Sequence, residues 1–341
     1  MRDKNYQTGN PKIDQLVDQL AREYSTPESR SHIHDLFTTV IKLHLDRADD
    51  HDLYQANTTL KELRHIFRIF KPYRNAHKVV MFGSHRTPEK SREYKLAQQF
   101  AEEITKKGYM VITGGGGGIM EAGNRGAGSK GFAVKIKLPL EMKPNPYVSC
   151  GEKLINVKYF FTRKLAFIKE SDATILFPGG FGTHDESFEV LTLLQTGKTL
   201  PRPVVMVDPP WSNYWKNWLG FLKKELIRYK YLQPADLNLF RIVRTPKAAV
   251  KEITGFYKNY HSICYGREAT VIRLNKKIAP QELKKLSRKY RDIMAGELQP
   301  CGPLPAEVRS KKWLDLPRIC FKFDRQSYNQ LMGLIRDINT L

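Results

Sequence analysis

Nowhere in this 341-residue chain do apolar residues run for the roughly 18 positions a membrane-spanning helix needs. The opening stretch, MRDKNYQTGNPK, lacks the apolar core of an export signal. A cytoplasmic protein with no membrane partner is therefore expected. Cysteine is scarce: Cys150, Cys264, Cys301 and Cys320 stand far apart in the sequence and form no C-x-x-C pair. That spacing argues against a disulfide framework and a zinc site, so they read as reduced thiols. No cluster of metal-ligating residues, internal repeat or low-complexity tract is apparent, and neither a metal nor a cofactor is expected. Acidic residues are outnumbered, 35 against 57 Lys and Arg, for a net charge of +22. The excess is +1 over residues 1–75, +12 over 76–249 and +9 over 250–341. A field of that sign favours anionic partners, whether nucleotides, nucleic acid or an acidic effector, without choosing among them. Nucleic acid has only the charge in its favour, because no RNP-like aromatic motif or zinc finger is present.

What is present suffices for a core, with 41% hydrophobic and 27% charged residues. Residues 1–75 carry apolar positions at helical spacing (Ile13, Leu16, Val17, Leu20; then Leu36, Val40, Ile41) and a third helix from about Asn57 to Phe70, which Pro72 ends. Over 76–258 short β-branched runs alternate with helical stretches, which predicts a Rossmann-like, doubly wound parallel α/β sheet. Its strands are VVMF (79–82), MVIT (110–113), GFAVKIKLP (131–139), INVKYF, ATILF (173–177), PVVMVD (203–208) and one around Phe240–Val243. Between them fall helices over Tyr94–Lys106, from Ile119, over Arg163–Lys169, Thr183–Gln195, the stretch NYWKNWLGFLKKELIRY, and Pro246–Tyr257. Residues 259–341 suggest a small basic β-α-β-α extension: ATVIRL (269–274), a helix over Pro280–Met294, RICFKF (318–323) and a helix over Gln326–Asn339.

Ligands of open parallel sheets bind beyond the carboxyl ends of the strands, and three strand ends here carry special residues. Gly83-Ser84 follows VVMF. Gly114–Gly118 follows MVIT and leads into a helix, so backbone N–H groups and a helix N-terminus can meet an anion there. The run is not the dinucleotide fingerprint G-x-G-x-x-G, because Ile119, Met120 and Glu121 stand where the last glycine is needed. Nor is it a Walker A loop: Gly123–Lys130 spells G-x-x-x-x-G-S-K, with Ser129 and Lys130 reversed and no strand before it. The third strand end is Pro178-Gly179-Gly180-Phe181-Gly182-Thr183-His184-Asp185-Glu186. Thr183-x-x-Glu186 has the form of a helix capping box, which would by itself account for both side chains. It leaves the three glycines unexplained, and two glycine-rich turns in one sheet suggest two helix N-termini aimed at one anion. Arg163 and Lys164 fall in the first turn of the preceding helix, where cations oppose the helix dipole and an anion would compensate. His184 reads as an exposed first-turn histidine rather than a general acid.

These residues resemble a known family. Tyr159–Glu186, with Arg163-Lys164, Ser171-Asp172-Ala173 and PGGFGTHDE, together with GGGGGIMEAGNRGA and KPNPYV (143–148), is similar to the LOG family of cytokinin-riboside-monophosphate phosphoribohydrolases, in its longer bacterial type. That family is often labelled lysine decarboxylase. The resemblance covers about residues 78–250, and R-K followed by PGG-x-GT-x-x-E is its specific part. It implies hydrolysis of the N-glycosidic bond of a nucleoside 5'-monophosphate, AMP or a cytokinin riboside monophosphate, to free base and ribose 5-phosphate. A dimeric core, or a higher homo-oligomer, with the site near the subunit interface is also implied. The family's catalytic arginine and glutamate fall on Arg163 and Glu186. Its phosphate turns fall on Gly115, Gly116 and Gly117 and on Gly180, Gly182 and Thr183. Gly83, Ser84, Met120, Lys164 and Gly179 complete the candidate substrate-binding set. The chain departs from the longer bacterial pattern at Gly117, commonly proline there, and at His184-Asp185. The helical N-terminal segment and the tail lie outside the short plant-type pattern.

The residue types suit the chemistry. Cleaving a ribosidic C–N bond develops positive charge on the sugar, which a carboxylate at Glu186 can stabilise while it orients water. Arg163 can hold phosphate or ribose hydroxyls, or help the leaving base. A decarboxylase would need pyridoxal phosphate and a Schiff-base lysine, for which no distinctive context exists. The alternative is a non-catalytic nucleotide or phosphorylated-cofactor carrier, which needs the glycines but not that carboxylate. Glu186→Gln, which can still cap, is expected to leave stability within about 1 kcal/mol and to lower turnover on the order of a hundredfold or more. Parallel losses in denaturation and steady-state assays would assign Glu186 to the cap alone.

Overall fold

The computed structural model describes residues 6–138, 143–148 and 151–341, so Cys150 and the end of the expected 131–139 strand lie outside the described residues. Contacts group the chain into Met1–His65 and Ile66–Leu341. In the first unit, α1 (Pro11–Glu23) and α2 (Arg30–Leu45) precede α3 (Asp50–Phe70). Asn10 caps α1 by accepting from the Lys12 N–H, with Pro11 in the first turn, where its missing N–H costs nothing. The third helix begins seven residues before the expected Asn57, its polar opening carrying little apolar periodicity but placing Asp50 and Asp52 favourably in the first turn.

In the second unit the elements run β1 (Lys78–Phe82), α4 (Arg92–Lys106), β2 (Met110–Thr113), α5 (Ile119–Ala127), β3 (Gly131–Ile136), β4 (Leu154–Val157), α6 (Phe160–Lys169), β5 (Ala173–Leu176), α7 (Phe181–Gln195), β6 (Val204–Val207), α8 (Tyr214–Phe221), β7 (Arg241–Val243) and α9 (Pro246–Phe256). All seven strands pair in parallel, in the order β4-β3-β2-β1-β5-β6-β7. This is the expected Rossmann-like α/β sheet. Every residue of β1 is buried, and alternate ones face opposite layers. Val79 and Met81 pack with Val111, Ile175 and Val205 against Phe100, Ala122 and Ile253 of α4, α5 and α9. Val80 and Phe82 pack with Ile112, Leu176 and Met206 against Phe167, Val190 and Trp215 of α6, α7 and α8.

The tail then departs from the expected β-α-β-α. It runs β8 (Tyr260–Tyr265), β9 (Thr270–Leu274), α10 (Pro280–Lys289), β10 (Met294–Pro300), α11 (Pro305–Ser310), β11 (Arg318–Phe323) and α12 (Tyr328–Thr340). The antiparallel order is β10-β11-β9-β8. The two strands that escaped the sequence reading are the edge strands. Only Tyr260 and Ile263 of β8 are buried, and β10 carries an irregularity between Ala295 and Gln299, with Gly296 at φ +87°. Edge strands bury less and bulge more, so their alternation is weak. β10 also takes Met294, which the sequence had assigned to the preceding helix. Two other helices differ: α6 begins three residues before Arg163, and the single helix expected over 213–229 is α8 followed by a π-turn over Leu222–Ile227. Cys264, Cys301 and Cys320 are free thiols.

Ile272, Leu274, Ile319 and Phe321 of the antiparallel sheet share an apolar cluster with Val80 and Phe82 of the parallel one. Asn339 of α12 ties the chain at the start of β8: its Oδ1 accepts from the N–H groups of Asn259 and Tyr260, each at 2.8 Å, and its Nδ2 donates to the carbonyls of Phe256 and Ile335. Asn339→Ala strands two buried donors and is expected to lower unfolding free energy by about 2 to 4 kcal/mol, read as a fall in the urea midpoint. A loss below about 0.5 kcal/mol would show that water replaces the amide.

Candidate functional site

From β1 the sheet grows through β2, β3 and β4 on one side and β5, β6 and β7 on the other. The chain therefore reverses direction at β1 and β5, and loops leaving their carboxyl ends diverge to open a crevice. Three loops meet there. Ser84 N–H donates to the Pro178 carbonyl (3.1 Å), and Ile119 N–H to the Ser84 carbonyl (3.0 Å). Gly118 has φ +64°, and a Cβ on it would strike the Ser84 carbonyl oxygen; a Cβ on Gly179 would strike Thr183 and the Ser84 nitrogen. These two glycines are required by close approach rather than by flexibility.

A polar network fixes the second loop. Thr113 Oγ1 donates to Asn124 Oδ1 (2.6 Å) and accepts from Gly115 N–H (3.0 Å). Asn145, in the KPNPYV stretch, donates from Nδ2 to Asn124 Oδ1 (3.0 Å) and to the Gly116 carbonyl (3.1 Å), and its N–H donates to the Gly115 carbonyl (3.0 Å). The N–H groups of Gly116 and Gly117 have no acceptor among the described residues.

At the third loop the capping box is absent. The helix α7 starts at Phe181, so Gly180 is the N-cap and Thr183 the third helical residue, and no side chain caps the helix. Thr183 and His184 N–H groups return to the Gly180 carbonyl (3.0 and 3.2 Å), leaving those of Phe181 and Gly182 without an acceptor among the described residues. The glycine turn lets the helix begin two residues early, which releases the carboxyl of Glu186 from capping.

The loops surround a cavity of about 780 Å³. Of the candidate residues, Gly83, Ser84, Gly116, Met120, Arg163, Gly180, Gly182, Thr183 and Glu186 line it. Gly115, Gly117, Gly179 and Lys164 do not. Gly115 is committed to the network above, a Cβ on Gly117 would face the His85 carbonyl, and the Gly179 carbonyl accepts from the Tyr214 hydroxyl. Lys164 turns to α7, with Nζ 2.7 Å from Glu189, 2.9 Å from Asp185 and 3.5 Å from Glu186. The wall also includes Arg86, Lys135 and Lys143, which the sequence reading passed over. A signal existed for Lys135, the single charge in an otherwise apolar β3, and for Asn145, inside a stretch already singled out. Lys143 opens that same stretch, whereas nothing local marked Arg86.

Arg163 lies against the glycine loop, where a Cβ on Gly114 would meet its Nη2, and its guanidinium stands 5.1 Å over the Phe167 ring. Its Nε is buried without a hydrogen bond, and burial pulls its pKa down against the opposing pull of Glu186 and Asp185. Glu186 is 7% exposed. Burial pushes its carboxyl up to about 7; Lys164 and Arg163 oppose that, while Glu189 and Asp185 reinforce it. His184 is half-buried rather than exposed, because its ring stacks between Phe188 and Tyr214. Tyr214 donates its proton to the Gly179 carbonyl, so His184 Nε2–H is the donor to the Tyr214 oxygen (2.6 Å). Burial lowers its pKa and favours the neutral ring. The result is an anion cradle of open N–H groups and cations, with one carboxyl poised between its two charge states. Among the described residues no group of three or more metal-ligating side chains is brought together, and no helix is long and apolar enough to cross a membrane.

Residues 112–253 match the family model described as "Possible lysine decarboxylase". An uncharacterized protein of Archaeoglobus fulgidus is 35% identical over 116 residues, 33% of this chain and 74% of its own length. A Mycobacterium tuberculosis protein named cytokinin riboside 5'-monophosphate phosphoribohydrolase is 28% identical over 48% of this chain and 87% of its own. The chain belongs to the LOG family. A LOG-family relationship agrees with the glycine turns, Arg163 and Glu186 sharing one cavity. Among solved structures, the molybdenum cofactor carrier protein of Chlamydomonas reinhardtii is 18% identical and overlaps 52% of this chain and 96% of its own, at a TM-score of 0.37.

The raised affinity of Glu186 for its proton has a defined effect on stability. The folded chain holds that proton up to about pH 7, whereas an unfolded glutamate releases it near 4.5. Between those values the folded state binds more protons, so this group's contribution to stability falls as pH rises. Glu186→Gln removes the titration. Its stability relative to the parent is expected to improve steadily from pH 4.5 to 7 and to level off above, read as melting temperatures across that range. A difference independent of pH would mean Glu186 ionises normally.

Proposed function

We propose that this protein hydrolyses the N-glycosidic bond of a nucleoside 5'-monophosphate, AMP or a cytokinin riboside monophosphate, to free base and ribose 5-phosphate, with residues 76–258 as the catalytic core of a homo-oligomer. The observation that carries the reading is the placement of Glu186 and the guanidinium of Arg163 on one cavity into which both glycine turns open. Relatives named for this activity support it.

The 5'-phosphate sits on the open N–H groups of Phe181 and Gly182 and of the Gly116 loop, where two helix N-termini add partial positive charge. Arg163, whose buried Nε has no acceptor among the described residues, supplies a fixed cation beside that phosphate and the ribose hydroxyls. As the C–N bond breaks, positive charge grows on the sugar. The ionised Glu186 stabilises it and orients the water that attacks the anomeric carbon. The attacking water leaves its O–H on the anomeric carbon and gives its other proton to the Glu186 carboxylate, which passes it to solvent, while the departing base takes up one proton from solvent, so that one water is consumed and no net proton is gained or lost.

The test is a product assay over AMP, GMP, CMP, UMP and isopentenyladenosine monophosphate, separating free base by chromatography. Release of base from at least one is expected, with Arg163→Ala lowering kcat/KM on the order of a hundredfold or more. Tight binding of a monophosphate with no base released from any of the five would overturn the reading in favour of a nucleotide carrier.

A further inference from the structure

Lys164 is set among three carboxylates carried by two successive turns of α7: Asp185 and Glu189 take its ammonium at 2.9 and 2.7 Å, and Glu186 Oε2 stands at 3.5 Å. The lysine does not line the cavity, whereas Glu186 does. We propose that Lys164, anchored on its far side by Asp185 and Glu189, is a positioning residue that holds Glu186 from behind through Oε2 and acts on the reaction only through that carboxyl. The inference rests on the function proposed above.

The geometry separates the partners. Glu189 and Asp185 make the two short contacts and are more exposed than Glu186, so they keep the ammonium in place. The longer contact is made by Oε2 of Glu186, a residue that also lines the cavity. Two cations and two anions bear on Glu186 from the helices packed around it: Lys164 and Arg163 on α6, and Asp185 and Glu189 on α7. His85, Arg86, Lys135 and Lys143 line the cavity in front, and His184 sits one turn end away, neutral and bonded to Tyr214. Among the described residues Lys164 is the one cation within 4 Å of Glu186, so it is the group whose removal should move the carboxyl furthest. Burial is the main reason Glu186 keeps its proton at a pH where an exposed glutamate has lost it; Lys164, shared with Asp185 and Glu189, opposes that burial only in part.

The two neighbours should act in opposite directions. Without Lys164, Glu186 faces Asp185 and Glu189 uncompensated and holds its proton more tightly. Without the charge of Glu189, the repulsion weakens, the ammonium is released toward Glu186, and the proton leaves more easily. The experiment is a carbon-13 NMR titration of the full chain labelled at the glutamate side-chain carboxyl, the Glu186 resonance being identified by its loss in Glu186→Gln. The titration midpoint is expected to rise by about one pH unit or more in Lys164→Met, tenfold in acidity, to return toward the parent value in Lys164→Arg, and to fall in Glu189→Gln. The acidic limb of kcat/KM for AMP should move with each midpoint. Should Lys164→Met fail to fold, the downward movement in Glu189→Gln decides. Unmoved midpoints overturn the inference, as does a moved midpoint with an unmoved rate profile in an active enzyme. If the parent releases no base while the midpoints move as stated, the hydrolase reading falls and the lysine's hold on Glu186 stands.

Discussion

The chemistry of this protein turns on the desolvation of one carboxyl group. Glu186 sits on the cavity wall yet is nearly inaccessible, and α6 packs beside it with Arg163 and Lys164. Withdrawing a carboxylate from water costs free energy that neighbouring cations restore in part. Here burial outweighs the cations, whose effect Asp185 and Glu189 offset in part, and the group is left divided between its charged and neutral forms near pH 7. A fully exposed glutamate would be ionised and weakly coupled to a ligand; a fully paired one would be inert. The intermediate condition suits the role the proposed hydrolysis gives this residue, answering to charge that develops on a sugar.

The rest of the candidate site sets open N–H groups and cations opposite that carboxyl. Its precision comes from backbone, since the loops after β1, β2 and β5 are in contact closer than a side chain at Gly118 or Gly179 would allow. Thr113, Asn124 and Asn145 then take up the polar groups of the glycine loop that face inward, leaving the N–H of Gly116, which lines the cavity, without an acceptor among the described residues. Asn145 comes from a segment after β3, so the loop's shape depends on a residue about thirty positions away. The C-terminal sheet supports this arrangement indirectly, through an apolar cluster shared with β1.

Much of the fold was legible because the parallel strands are buried on both faces. VVMF, MVIT and ATIL are continuous apolar runs that few other structures accommodate. Legibility failed where burial was partial, at β8 and β10, and where a local motif had two readings. Thr183-x-x-Glu186 has the spacing of a capping box, but the glycines before it allow α7 to begin at Phe181, which turns a would-be cap into a wall residue. For the site, the glycine turns, Arg163 and Glu186 stood out in the sequence. Arg86 did not, because its relevance comes from three-dimensional neighbours rather than spacing. His184 was misjudged for the same reason: Tyr214, which holds it, is thirty residues on.

By itself the sequence determined the doubly wound sheet, the strand ends at which glycine replaces side chains, and the identity of the arginine and glutamate that the family pattern requires. Those are properties of residue type and short-range spacing, which survive without knowledge of neighbours. Only the tertiary structure decided that Lys164 faces three carboxylates instead of a ligand, that Glu186 is not a cap, and that burial holds its proton. Desolvation and charge balance are sums over everything packed around a group, and no stretch of chain contains that sum.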